Sequence, residues 1–149
     1  MTPKSLETRK SRSEDKTVPL ANTILLIDDD KNISDMVSLM LEHLGYSVIL
    51  TSGGNEALAV LNTESRGIDC VLTDLSMPDM DGWEILSFVK KISPEMPVIL
   101  ASGYDEAHVR SSCQRQMPPD AYIQKPFQMA ELKTTLGRVL EQACVADNN

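Results

Sequence analysis

Short apolar runs alternate along the chain with longer stretches in which apolar residues return every three or four positions, and the alternation occurs five times. Thr23–Ile27 is a continuous apolar run of strand length, as strands buried on both faces of a parallel sheet are, and it ends on Asp28-Asp29-Asp30. The next stretch puts Ile33, Met36, Val37, Met40, Leu41 and Leu44 on one stripe at helical spacing, with Asp30 as N-cap and Gly45 as stop. Residues 46–51 predict a second strand and Ser52-Gly53-Gly54 a turn. A short helix follows with Ala57, Leu58 and Leu61 inward.

Residues 68–82 hold the third strand, in which Cys70-Val71-Leu72 leads to Asp74. The turn formers Pro78, Asp79, Asp81 and Gly82 follow at once. Asp81 and Glu84 have the spacing of a capping box, for a helix that buries Ile85, Leu86, Val89 and Ile92. Pro94 and Pro97 bracket its exit, and residues 98–101 predict a fourth strand ending on Ser102-Gly103. Residues 105–117 predict a helix with a thin inward stripe of Val109, Cys113 and Met117, which would hold it weakly. Ala121–Gln124 is a short fifth strand ending at Lys125-Pro126. Residues 128–143 form the last helix, with Met129, Leu132, Leu136, Val139 and Leu140 inward.

Five β-α units without an internal repeat imply an α/β fold, a parallel five-stranded sheet with helices on both faces. The flavodoxin-like (βα)5 order 2-1-3-4-5 puts the first and third strands side by side, with the ligand crevice beyond the carboxyl ends. Asp28, Asp29 and Asp74 then meet at one edge of the sheet, and Ser102 and Lys125 approach from the other side.

A length of 149 residues fits one domain, with residues 1–20 read as a flexible polar leader, 21–144 as the domain and 145–149 as a polar tail. No apolar run approaches the roughly 20 residues of a membrane span, and residues 1–18 lack a signal-peptide core. Cys70, Cys113 and Cys144 are scattered, with neither disulfide nor metal-ligand spacing, so a reduced cytoplasmic setting is the default. The net charge is −8 and uneven. Five of the 14 basic and three of the 22 acidic residues lie in 1–20, which leaves nine and nineteen and a net of −10. So acidic a domain is a poor nucleic-acid binder, because phosphate contacts dominate that affinity.

Three neighbouring carboxylates repel, by on the order of 4 kcal/mol per pair at about 4 Å and an effective dielectric near 20. A proton or a cation must relieve this, and a hard divalent ion such as Mg²⁺ suits carboxylate oxygen. Each residue taken alone has an ordinary reading: Asp28-Asp29-Asp30 as a solvated cap, Asp74 as a turn former, Ser102 as a small strand-end hydroxyl, Lys125 as a surface cation. Proline after Lys125 holds it extended and aims the ammonium toward the crevice. Taken together the set has one chemical meaning. Asp74 is a carboxylate nucleophile, Asp28 and Asp29 a metal site, Ser102 a donor to phosphoryl oxygen and Lys125 a counter-charge. These are the parts that position and neutralise a transferred phosphoryl group, with an acyl phosphate as product.

On Ile-Leu-Leu-Ile-Asp-Asp-Asp, Leu-Thr-Asp-Leu-Ser-Met-Pro-Asp-Met-Asp-Gly, Val-Ile-Leu-Ala-Ser-Gly and Tyr-Ile-Gln-Lys-Pro-Phe, the sequence resembles the receiver domain of bacterial response regulators, over about residues 23–143. The resemblance implies Asp74 as phosphoacceptor and a Mg²⁺ cofactor bound by Asp29 directly, by Asp28 mainly through water, by Asp74 and by the Ser76 carbonyl. It implies Ser102 and Tyr122 as the switch pair and a cis Lys125-Pro126 bond. Met117-Pro118-Pro119-Asp120-Ala121 stands where the family often has Gly-Ala, and its two prolines stiffen that connection. Tyr104, a large side chain two residues past Ser102, is expected to slow water attack on the acyl phosphate. Trp83 is read as a cap of the third helix that could report site occupancy.

The function expected is a phosphoacceptor switch of a two-component or phosphorelay system, not an enzyme beyond its own phosphorylation and dephosphorylation. The donor would be the phosphohistidine of a sensor histidine kinase or phosphotransfer protein. With no output domain visible, a stand-alone protein would act on a downstream protein target through the face of helix 4, strand 5 and helix 5. Neither nucleic acid nor membrane is expected as a partner. Two alternatives stand beside this. A haloacid-dehalogenase-like phosphatase shares the strand followed by Asp28-Asp29-Asp30, but has Thr or Val where Asn32 stands and an acidic pair that is missing after Lys125. A receiver-like adaptor would bind without phosphorylation.

Overall fold

The computed structural model describes residues 22–111 and 118–148. In chain order the elements are β1 (Thr23–Ile27), α1 (Lys31–His43), β2 (Ser47–Thr51), α2 (Gly54–Glu64), a 3₁₀ turn (Ser65–Gly67), β3 (Cys70–Asp74), α3 (Gly82–Ile92), β4 (Val98–Ser102), α4 (Glu106–Ser111), β5 (Ala121–Gln124) and α5 (Met129–Asn148). All strands are parallel, in the order β2-β1-β3-β4-β5. The predicted leader lies outside the described residues, and α5 continues through the stretch read as a tail.

The three central strands are almost wholly buried, which is why they read as unbroken apolar runs. Alternate side chains feed two cores. One holds Leu25, Ile27, Val71, Val98 and Leu100 with Leu61 of α2 and Ile85, Leu86 and Val89 of α3. The other holds Ile24, Leu26, Leu72, Ile99 and Ile123 with Val37 and Leu41 of α1 and Leu132, Leu136 and Val139 of α5. No helix among the described residues is long and apolar enough to cross a membrane.

Local signals set the element ends. Asp30 Oδ1 accepts from Ile33 N at 3.2 Å and starts α1. At the other end Gly45 takes φ +99°, Gly45 N donates to Glu42 O and Tyr46 N donates to Leu41 O. That is a Schellman stop, and it needs a residue free of a Cβ penalty. Asp81 and Glu84 form the capping box of α3.

Two stripe residues depart from expectation. Met36 is 52% exposed, because it sits one residue, about 100°, from Val37 at the centre of the buried face. Ile92 is 42% exposed, since α3 ends there and Ser93 leaves helical geometry. Tyr46 precedes β2 instead of opening it, half-buried against the α1 and α5 core. Of the thin stripe of α4, Val109 is buried, and Cys113 and Met117 lie outside the described residues.

Candidate phosphoacceptor site

Register brings the acidic residues together. Ile27 pairs with Thr73, so Asp28 comes level with Asp74, and Asp74 pairs with Ala101, the residue before Ser102. Carboxylate oxygens of Asp28, Asp29 and Asp74 all lie within 4.8 Å of one another. Asp28 is buried, Asp29 exposed and Asp74 half-buried. Asp28 also accepts from Asp30 N at 2.9 Å through Oδ1, which leaves Oδ2 for the crevice.

Lys125 completes the cluster from β5. Its Nζ donates to Asp74 Oδ1 at 2.9 Å and to Asp28 Oδ2 at 3.1 Å. The Lys125-Pro126 bond is cis, as expected. Lys125 N donates to Ser102 O at 2.7 Å, so the ends of β4 and β5 are joined next to the site. One ammonium against three carboxylates explains why the two partners shift the same way. For Asp74, burial is the largest influence and raises the carboxyl above its usual range; Lys125 pulls it down, and Asp28 and Asp29 push it up again. For Lys125, burial pulls the ammonium down, but Asp74 and Asp28 together more than offset this and leave it raised. Fully ionised, the cluster keeps two negative charges in a partly enclosed crevice. Hard oxygen donors with that surplus fit a divalent cation of the Mg²⁺ type.

Ser102 is buried, and its Oγ accepts from Tyr104 N at 3.1 Å, which folds the β4–α4 turn back over the strand end. Tyr104 is 62% exposed and stacks on His108 at 4.4 Å between ring centroids. A cleft of about 200 Å³ lies beneath α4, lined by Leu100, Ser102, Tyr104, Glu106, Val109 and Tyr122 among others. Tyr122 is half-buried on β5 and meets Trp83 edge to face, with centroids 6.5 Å apart. Trp83, read as a cap, is instead buried in the core at the start of α3, one residue past Gly82. Ser76 is exposed in the loop after β3.

The sequence reading gave no site role to Asp79, whose carboxylate accepts from Gly54 N at 3.2 Å and Asn55 N at 3.0 Å. Only the paired glycines opposite a turn aspartate hinted at it. It also gave none to Lys90 and Asp120, which join the opposite ends of the strands. Lys90 Nζ donates to Asp120 Oδ2 at 2.9 Å and to Met96 O at 2.8 Å, and Asp120 Oδ2 accepts from Val98 N at 2.8 Å.

The family model for the response regulator receiver domain matches residues 24–137. The chain belongs to that family. Receivers hold Mg²⁺ at an acidic pocket, and the aspartate cluster here is of that kind. Among solved structures, this receiver is similar to a response regulator receiver protein from Sinorhizobium medicae (30% identity, TM-score 0.73, 83% of this chain and 97% of that one). It is also similar to a receiver domain protein from Clostridium thermocellum (27%, TM-score 0.74, 84% and 98%). A curated relative is the transcriptional regulatory protein GlrR of Escherichia coli, 32% identical over 123 residues, or 83% of this chain and 27% of that protein. Another is the sensor kinase CckA of Brucella abortus, 31% identical over 138 residues, or 89% and 14%. The receiver thus spans a small part of the length of these curated relatives.

Proposed function

We propose that Asp74 accepts a phosphoryl group from the phosphohistidine of a sensor kinase or phosphotransfer protein, and that the chain acts as a cytoplasmic signalling switch. The observation that carries this is the bridge of Lys125 Nζ between Asp74 Oδ1 and Asp28 Oδ2 inside a three-carboxylate cluster. Asp28, Asp29, Asp74 and the Ser76 carbonyl would hold Mg²⁺, which when bound supplies charge neutralisation for phosphoryl oxygens. The remaining steps belong to this chain. An Asp74 oxygen attacks phosphorus, the phosphorus–nitrogen bond of the donor breaks, and the imidazole leaves with the bonding pair. Lys125 exchanges a carboxylate partner for a phosphoryl oxygen, and Ser102 Oγ–H donates to another.

The output is a shift of population. Ser102 moving toward the phosphoryl group vacates room in the cleft that Tyr122 can fill, and α4 re-poses above it. The face of α4, β5 and α5 would then meet a protein partner. Tyr104 would shield the acyl phosphate, so Tyr104→Ala is expected to shorten its half-life. Apart from its own phosphorylation and dephosphorylation the chain would catalyse nothing.

The test is incubation with Mg²⁺ and acetyl phosphate followed by intact-mass analysis. Wild type is expected to gain one labile phosphoryl group and Asp74→Ala none. Equal labelling of the two, or none of the wild type, rejects the reading.

A further inference from the structure

The loop of residues 75–81 carries the chain from β3 to α3 and contains Ser76. Its ends are fixed by backbone: Leu75 N donates to Ala101 O at 2.9 Å, and Gly82 N donates to Leu75 O at 2.8 Å. Between those ends the Asp79 carboxylate reaches a different element, where it accepts from the first two amides of α2, Gly54 N and Asn55 N. The N-cap of that helix is Gly53, which has no side chain to serve it. A cap that normally comes from the adjoining residue is supplied here by the site loop. The hydrogen bonds from Asn55 and Gly54 hold the Asp79 carboxyl below its usual range, so its negative charge faces the positive end of the helix.

The chain facing Asp79 is shaped to receive it. A Cβ at position 54 would lie 2.5 Å from Met80 Cβ, and one at position 53 would lie 3.1 Å from Asp79 Oδ2. Gly53-Gly54 is therefore a seat into which Asp79-Met80 settles, and Met80 joins the core beside it.

We propose that Asp79 is a positioning residue for the acidic site: seated on the N-terminus of α2, it fixes loop 75–81 so that the Ser76 carbonyl is already in place for a divalent cation at Asp28, Asp29 and Asp74. The inference rests on the phosphoacceptor reading above. A ligand carried by a loop must otherwise be ordered when the cation arrives, and that ordering weakens binding. Groups that orient metal ligands from behind typically change affinity ~10–100-fold.

The experiment is a Mg²⁺ titration of the full chain, followed by the fluorescence of Trp83, the one tryptophan, and by calorimetry. Asp79→Ala is expected to raise the Kd for Mg²⁺ about tenfold, and Asp79→Asn, which keeps an acceptor oxygen, to stay within about threefold of wild type. Gly54→Ala, whose Cβ pushes Met80 and the loop out of the seat without removing the Asp79 side chain, is expected to weaken binding in the same direction. A folded Asp79→Ala whose Kd is unchanged while its melting temperature falls makes Asp79 a helix cap and nothing more, and overturns the proposal. Should Asp79→Ala not fold, an unchanged Kd in Gly54→Ala overturns it instead. Failure of the underlying reading shows separately, as wild type that binds no Mg²⁺ and gains no phosphoryl group.

Discussion

The single ammonium of Lys125 bridges two carboxylates that would otherwise face one another. Its place after a short apolar strand and before proline aims it at the crevice, and it lies there, bonded to two carboxylates. Asp79 carries no such mark, because its partners stand 24 and 25 positions away and are backbone amides that any sequence would offer. Two predictions belong at this scale. Lys125→Met leaves Asp28 and Asp74 facing one another, so a loss on the order of 1–3 kcal/mol is expected in urea unfolding. Mg²⁺ should then raise the melting temperature of the variant more than that of wild type, and an equal rise in both would contradict this account. The second concerns pH. The folded carboxyl of Asp79 lies below its unfolded value, so its ionisation stabilises the fold above about pH 3.9, and that stability is lost as pH falls through the folded value. The gap in stability between wild type and Asp79→Ala should therefore be widest near neutrality and narrow in acid. A gap constant across that range contradicts the assignment.

At the scale of elements, strands were easier to read than helical faces. A strand buried on both sides is apolar along its length, and β1, β3 and β4 carry polar residues only at their ends, at Thr23, Thr73-Asp74 and Ser102. A helix buries only an arc, and the sequence does not mark where the arc stops. Met36 and Ile92 match the spacing of their helices and still face solvent. The Lys90–Asp120 clamp was invisible for the same reason as Asp79, since it joins α3 to the start of β5 across 30 positions. Lys90 is largely enclosed there and also serves main-chain carbonyls. Lys90→Met is expected to cost about 1–3 kcal/mol by urea unfolding, through the carbonyls and the carboxylate left without their donor. An unchanged midpoint would show the clamp to be idle.

For the whole molecule, the β-α alternation implied a parallel sheet, right-handed crossovers left a few orders open, and the flavodoxin-like order expected among them is the one observed. That order in turn gathers residues 28, 29, 74, 102 and 125 at one end of the sheet. The switch proposed above would reach the surface through packing, which the pattern could not reveal. Tyr122 touches Trp83 at the root of the Asp81-Gly82 turn and lines the cleft beside Ser102. Coupling between such regions is typically ~1–3 kcal/mol. Tyr122→Ala should therefore still take up a phosphoryl group from acetyl phosphate, while the accompanying change in Trp83 fluorescence is largely lost. A full optical response in that variant would mean that the signal leaves by another route.

The short bond between the main chains of Ser102 and Lys125 has a mechanical meaning. Two fingers that would grip different corners of the same guest share a single knuckle. A shift of either strand end would strain that joint, while each fingertip stays free to turn on its own side-chain bonds.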